Sequence, residues 1–277
     1  MTWQARLDLD YSADGARTVA RHAHEGPLRI LQTLYPEGHA IAHNVLVHPP
    51  SGLVGGDLLD ITVRAGAGSH GLITTPGAAR FYRSEGAMAV QRAKVALAPG
   101  ARLEWLPQET LCYSGCIAEN HLIIDLAPGA EFMGWDITAL GLPASELPFT
   151  RGSLLQHLEV TGSWLERGRI AAGDERLLDG PLGLAGHRCF GALFFASHEP
   201  LARARREQAL GLAHEVIAQQ AEGGVVAGVT APAPNVIVVR ALATMVEPAA
   251  TLLRAVRAAW RPLLWELPAT APRVWSV

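Results

Sequence analysis

The 277-residue sequence predicts a mainly β fold, organised as one domain over residues 1–277, with two α-helices late in the chain. Three observations carry this. Short runs alternate apolar and polar residues with a period of two. A weak repeat of about 30 residues organises the first half, as stacked supersecondary units do. Two stretches near the C-terminus switch to helical spacing.

Alternating runs bounded by Gly, Pro, Asn or Asp occur at 58–64, 94–97, 121–126 and 235–240, and these read as strands. The repeat is plainest where Ala98-Pro99-Gly100-Ala101 leads a strand to Trp105, and Ala127-Pro128-Gly129-Ala130 leads another to Trp135. The glycines are 29 residues apart and the tryptophans 30. Gly66-Ala67-Gly68 is an earlier degenerate copy, with Gly68 lying 32 residues before Gly100. A stack of β-coils, a set of hairpins or a sandwich with regular turns would each give such a period. The first helix is expected over 199–222, with Ala209, Leu212, Ala213, Val216, Ile217 and Gln220 on one stripe and Gly223-Gly224 ending it. The second is expected over 248–260, with Leu252, Leu253, Val256 and Trp260 as its apolar face and Pro262 as its stop.

Composition narrows the function classes. Apolar residues make up 49% and charged residues 18%, an ordinary globular balance. A chain this long buries roughly three quarters of its unfolded surface, so a core forms without disulfides or metal. The net charge of −3 leaves no electrostatic footprint for nucleic acid. Three cysteines, Cys112, Cys116 and Cys189, suit a reducing compartment better than a disulfide framework. Arg6, Asp8 and Asp10 stand where a signal peptide needs an apolar run, and the longest apolar stretch, 225–239, is broken by Pro232 and Pro234. A soluble, cytoplasmic protein is expected.

Several catalytic patterns come close and fail. Gly66, Gly68 and Gly71 have dinucleotide-loop spacing, but the residues that follow read as strand, whereas a pyrophosphate needs a helix N-terminus there. Neither a P-loop nor a G-x-S-x-G elbow occurs, and no His-Glu pair is followed by the second zinc-binding histidine. Cys112 and Cys116 with His121 have the ligand types of a thiolate–imidazole site. On a straight strand the two thiols would lie about 13 Å apart, so a turn at Ser114-Gly115 is required. Half-buried thiols beside a turn are the simpler reading.

Two stretches are dense in special residues. One runs His48-Pro49-Pro50-Ser51-Gly52-Leu53-Val54-Gly55-Gly56-Asp57 and on to Thr74-Thr75-Pro76-Gly77-Ala78-Ala79-Arg80-Phe81-Tyr82-Arg83. The other is Leu103-Glu104-Trp105-Leu106-Pro107-Gln108-Glu109-Thr110. With Trp135-Asp136-Ile137, Leu140-Gly141-Leu142-Pro143-Ala144-Ser145 and the closing Pro272-Arg273-Val274-Trp275, they resemble the urease accessory protein D family, also called UreH. The resemblance covers the whole chain. Ser51 stands where the family usually has glycine, Arg80 for its lysine and Leu142 for its arginine; Cys112 and Cys116 lie outside the shared pattern.

The resemblance implies a β-solenoid-like helical stack of strands with two helices, and a non-catalytic role in urease maturation. It implies apo-urease, accessory protein F and the GTPase accessory protein G as partners, and transient nickel(II) as cargo with no tightly bound cofactor. Oxygen ligands would hold such a cargo weakly, which points to Asp57, Thr74, Thr75, Gln108, Glu109 and Asp136. For each there is a structural alternative: a turn cap at Asp57, plain strand residues at Thr74 and Thr75, backbone partners for Gln108 and Glu109, an arginine partner for Asp136. Phe81, Tyr82 and Arg83 are the types that anchor interfaces. The long helix would dock accessory protein F or simply pack, with Arg203, Arg205 and Arg206 solvated. Two other readings remain: a β-helix carbohydrate-active enzyme using Asp57, Glu109 and Asp136, and an adaptor that never touches nickel.

Overall fold

In the computed structural model, which describes residues 3–220 and 223–276, the chain winds through successive coils, each contributing a strand to two facing sheets. The N-terminal strands are β1 (Gln4–Asp14), β2 (Arg17–Glu25), β3 (Arg29–Leu34) and β4 (Ile41–Val47). The coils follow: β5 (Leu58–Ala65), β6 (His70–Thr74), β7 (Ala79–Phe81), β8 (Ala89–Leu97), β9 (Arg102–Leu106), β10 (Thr110–Cys112), β11 (Ile117–Leu126), β12 (Glu131–Leu140) and β13 (Ser153–Val160). The chain closes with β14 (Trp164–Ala171), α1 (Glu175–Asp179), β15 (Cys189–Ser197), α2 (Arg203–Gln219), β16 (Val225–Ala233), β17 (Val236–Ala243) and α3 (Val246–Trp265).

One sheet has the order β14-β13-β11-β8-β5-β1-β2 and the other β16-β17-β15-β12-β9-β6-β4-β3. The central strands of both are parallel, as a coil repeat requires. β7 and β10 form a narrow third side. The β-solenoid-like stack expected above is therefore present. Its register carries the repeat: Leu58 lies opposite Val90, 32 residues on, and Ala89 opposite Ala118, 29 residues on. The glycine turns stack too, with Gly68 N–H donating to Pro99 O and Gly100 N–H to Pro128 O.

Trp105 and Trp135 are not equivalent, however. The coil offset is 29, so Gly134 faces Trp105, and Trp135 falls one place further along. A shift of one residue reverses the face of a strand. Trp105 points between the sheets and Trp135 points to the helices.

Two apolar layers result. Leu7, Leu9, Ile61, Val95, Leu122 and Leu158 meet Ile73, Leu103, Phe132 and Phe194 between the sheets. On the far side of the second sheet, Met133, Trp135, Leu193, Phe195 and Val239 are covered by α2 and α3. Leu252, Leu253, Val256 and Trp260 are all fully buried, as expected. Pro262 does not stop α3; it lies inside the helix, which continues until Glu266 turns left-handed at φ 56°. Buried Leu264 and Trp265 hold that last turn in place. α2 begins at Arg203 rather than at 199, and the expected end at Glu222 lies outside the described residues. Arg205 is not merely solvated: it binds Glu131 at 2.7 Å and the Leu264 carbonyl, and its guanidinium lies over the Phe195 ring.

Candidate functional site

Alternation in β12 sends Phe132 and Asp136 into the space between the sheets. Asp136 is 8% exposed there, and three side chains donate to its carboxylate. Asn120 Nδ2 lies 2.6 Å from one oxygen; Gln156 Nε2, at 2.6 Å, and Thr138 Oγ1, at 2.9 Å, share the other. Gln91 Nε2 in turn donates to Asn120 Oδ1 at 3.2 Å. Gln91, Asn120 and Gln156 are direct cross-strand partners on β8, β11 and β13. They form a rung of amides facing Asp136 from the opposite sheet. Burial raises the Asp136 carboxyl above its ordinary value despite these three hydrogen bonds.

This polar rung borders a small cavity of about 40 Å³, lined also by Thr75, Gln108, Thr110 and Trp105. A single water needs roughly 10–15 Å³, so the space holds a few. Leu46, Ile61, Thr75, Ala79 and Gln91 are shared with a larger cavity of about 250 Å³, whose rim includes His48, Ser51, Pro76, Gly77 and Arg80. Burial depresses His48, with Asp57 opposing, so a neutral imidazole sits at that rim.

The two dense motifs explain the rim. Ser51 adopts φ 60°, a left-handed conformation natural to glycine, which accounts for the glycine usual there in the family it resembles. A side chain at Gly52 would meet the Tyr82 ring at 2.1 Å. Asp57 closes this loop: one oxygen accepts from Trp3 N–H at 2.7 Å and the other from Val54 N–H at 2.9 Å. It acts as the turn cap that the loop chemistry allows.

The six oxygen-bearing residues singled out from the sequence therefore divide. Thr75, Gln108 and Asp136 border the inner cavity. Asp57 is committed to its loop. Thr74 points to the helices, donating to Leu106 O at 2.7 Å and accepting from Trp275 Nε1 at 2.9 Å. Gln108 Oε1 accepts from Arg254 at 2.9 Å. Glu109 lines a separate cavity with Leu111, Ala139, Cys189 and Glu247 near the start of α3. The arginine partner considered for Asp136 is absent among the described residues; neutral amides and a hydroxyl take its place. Phe81 is 1% exposed and belongs to the core, so it offers a partner no surface. Tyr82 is half-buried, with its ring on Tyr113, and Arg83 is exposed.

The thiol–imidazole cluster separates. The chain does turn at Ser114-Gly115, with Cys116 N–H donating to Tyr113 O, and both thiols are buried. The Cys112 thiol is pushed well up by its hydrogen bond with Cys116 and by burial. His121 lies on the opposite, outer face of its sheet. Among the described residues no three His, Cys, Asp or Glu side chains converge to hold an ion.

Sequence reasoning missed His48, Gln91, Asn120, Gln156 and Glu104. The amides were detectable as polar residues at inward positions of three strands, between Ala89 and Ala93, Ala118 and Leu122, and Leu154 and Leu158. Glu104, fully buried, accepts from Arg257 and Arg261 and fixes α3 to the sheet. Its partners lie too far along the chain for any local pattern.

Comparison with known proteins agrees with these motifs. The sequence profile of the family described as UreD urease accessory protein matches residues 4–276. The chain is 62% identical over 277 residues to the urease accessory protein UreD of Variovorax paradoxus, covering all of both chains. It is 59% identical to that of Polaromonas naphthalenivorans, again over the full length of both. It is 48% identical over 294 aligned positions to that of Methylibium petroleiphilum, covering 99% of each. These relatives are named as accessory proteins rather than as enzymes, and among the described residues no helix is long and apolar enough to cross a membrane. On a profile match across nearly the whole chain and relatives this similar end to end, the chain belongs to the UreD urease accessory protein family.

Proposed function

We propose that this chain is a cytoplasmic scaffold in urease maturation that binds apo-urease together with accessory proteins F and G, and that nickel(II) passes through the cavity between its sheets. The observation that carries the conduit is the Asp136 carboxylate with its rung of amides, beside a small cavity that shares Thr75, Ala79 and Gln91 with the larger one at His48. One carboxylate and several neutral oxygen donors lower the desolvation penalty of a divalent ion. Without thiolates or clustered imidazoles they do not trap a borderline metal. The passing ion would also favour the ionised form of Asp136, which burial disfavours. Thr75, Gln108 and Asp136 belong to this path; Asp57, Thr74 and Glu109 support it through the loop, the C-terminal segment and the α3 start. Tyr82 and Arg83, seated on buried Phe81, form a contact for a partner.

The carbohydrate-enzyme reading loses support, because it needs two carboxylates across one bond. Asp57 is a turn cap and Glu109 lies in a different cavity from Asp136. The adaptor reading stands as the alternative to the conduit.

Co-expression with urease and its other accessory proteins tests both parts. Asp136→Asn removes the charge, and Ala79→Phe obstructs the place shared by both cavities. Each variant is expected to co-purify with apo-urease while the urease formed carries several-fold less nickel by elemental analysis. Full nickel content would overturn the conduit and leave the adaptor. Failure of the unmodified chain to co-purify with apo-urease would overturn the scaffold.

A further inference from the structure

His121 and His157 are direct cross-strand partners on β11 and β13, on the outer face of the first sheet. Their ring centroids are 5.3 Å apart and the rings are tilted by 36°. Each ring is anchored by a carboxylate two residues away on its own strand. His121 Nε2 lies 3.0 Å from Glu119, and His157 Nε2 lies 2.7 Å from Glu159. Nε2 is thus committed as the hydrogen-bond donor, and the lone pair falls on Nδ1. Neither Nδ1 has a hydrogen-bond partner among the described residues, and neither is sealed from solvent. The side chains are 17% and 14% exposed, so an ion can reach them.

We propose that His121 and His157 form a surface site for one borderline divalent cation (nickel, zinc or cupric copper), with water completing the shell. Two ring nitrogens about 2.1 Å from one tetrahedral ion set their ring centroids about 5 Å apart, close to the spacing present. A carboxylate on the second ring nitrogen is the usual outer partner of a metal-bound imidazole, fixing tautomer and orientation. The surrounding charges balance: Arg92 is engaged by Asp60, Arg169 reaches Glu119, and Arg167 faces His157 across β14. Two protein ligands make a modest site, not a structural centre.

The test is equilibrium dialysis of the untagged full-length chain against nickel chloride and, separately, zinc chloride, with ions counted by elemental analysis. The expected result is one fewer ion per chain in His121→Ala, in His157→Ala and in the double variant. Glu119→Gln with Glu159→Gln should weaken binding several-fold. His22→Ala with His24→Ala should retain the ion. Full stoichiometry in the double variant overturns the site, as does loss of the ion in the His22/His24 variant. Should a histidine variant fail to fold, zinc titration of the unmodified chain decides by NMR. Imidazole signals of His121 and His157 that shift together support the site, and signals that stay still overturn it.

Discussion

Glu104 and Arg257 stand 153 residues apart in the chain and meet at 2.6 Å, with side chains 0% and 2% exposed. Arg261 takes the other carboxylate oxygen at 3.1 Å and also binds Glu37. Arg257 donates further to the Thr270 carbonyl, and Trp275 lies over both Arg254 and Arg257. One carboxylate thus ties α3 and the C-terminal segment to the sheet that carries Asp136.

Removing it leaves two guanidiniums buried against one remaining carboxylate. Breaking a buried pair in this way costs about 3–5 kcal/mol. Glu104→Ala should therefore lower the unfolding free energy by that amount in urea titration, with Glu104→Gln losing less. A variant as stable as the parent would show that the network contributes nothing to holding α3.

Ser51 is held at φ 60°. For a residue with a Cβ this conformation costs roughly 1–2 kcal/mol, partly offset by the smaller chain entropy that serine loses on folding. Ser51→Gly should stabilise the protein by about 1 kcal/mol and raise its melting temperature by a few degrees. A lower melting temperature would mean that the hydroxyl does something the geometry does not reveal.

Acid should weaken the fold in two overlapping windows. Burial holds His70 down at about 4, against its ordinary 6.5. The unfolded chain takes up a proton between these values that the folded chain refuses, so stability falls as pH drops from 6.5 towards 4. Burial alone would raise Glu37, but hydrogen bonds with His43 and Arg261 prevail and hold it at about 2, against 4.5. Its contribution is complete above 4.5 and is lost as pH falls towards 2. Each group contributes on the order of 3 kcal/mol. The raised Asp136 carboxyl acts in the opposite sense. Urea midpoints at pH 7.5, 5 and 3.5 should decrease in that order, and His70→Gln should flatten the upper window.

Thiol chemistry should be slow in the folded protein. Burial pushes Cys189 up to about 12, with Glu247 and Glu109 adding to it, and Cys112 is also raised. Iodoacetamide at pH 8 should leave Cys112, Cys116 and Cys189 unmodified until urea is added, because all three are buried. Mass spectrometry of the alkylated chain reads this directly, and rapid native labelling of Cys189 would contradict its burial.

The coil architecture was legible because glycine turns recur at the spacing of the coils themselves, so Gly68, Gly100 and Gly129 mark three successive layers. Helix α3 was legible from its apolar stripe, but its end was misplaced, since packing of Leu264 and Trp265 outweighs the loss of one hydrogen bond at Pro262. Of the candidate path, Asp136 stood out by its motif, whereas Asn120 and Gln156 looked like ordinary strand residues. Their meaning depends on which face each strand presents and on a partner from another coil, and neither is encoded locally. Thr74 and Glu104 show the converse: their motif is conspicuous, yet their work is to secure a helix and a tail from the far end of the chain.

The reversed strands at the margins of both sheets have a consequence for self-association. A stack of parallel coils invites a second molecule to continue it, layer upon layer. Here β2 and β14 run antiparallel to their neighbours in one sheet, and β3 and β16 do so in the other. An incoming coil of the same handedness meets chain of the opposite polarity at either margin, so the parallel pairing of the stack is not continued there.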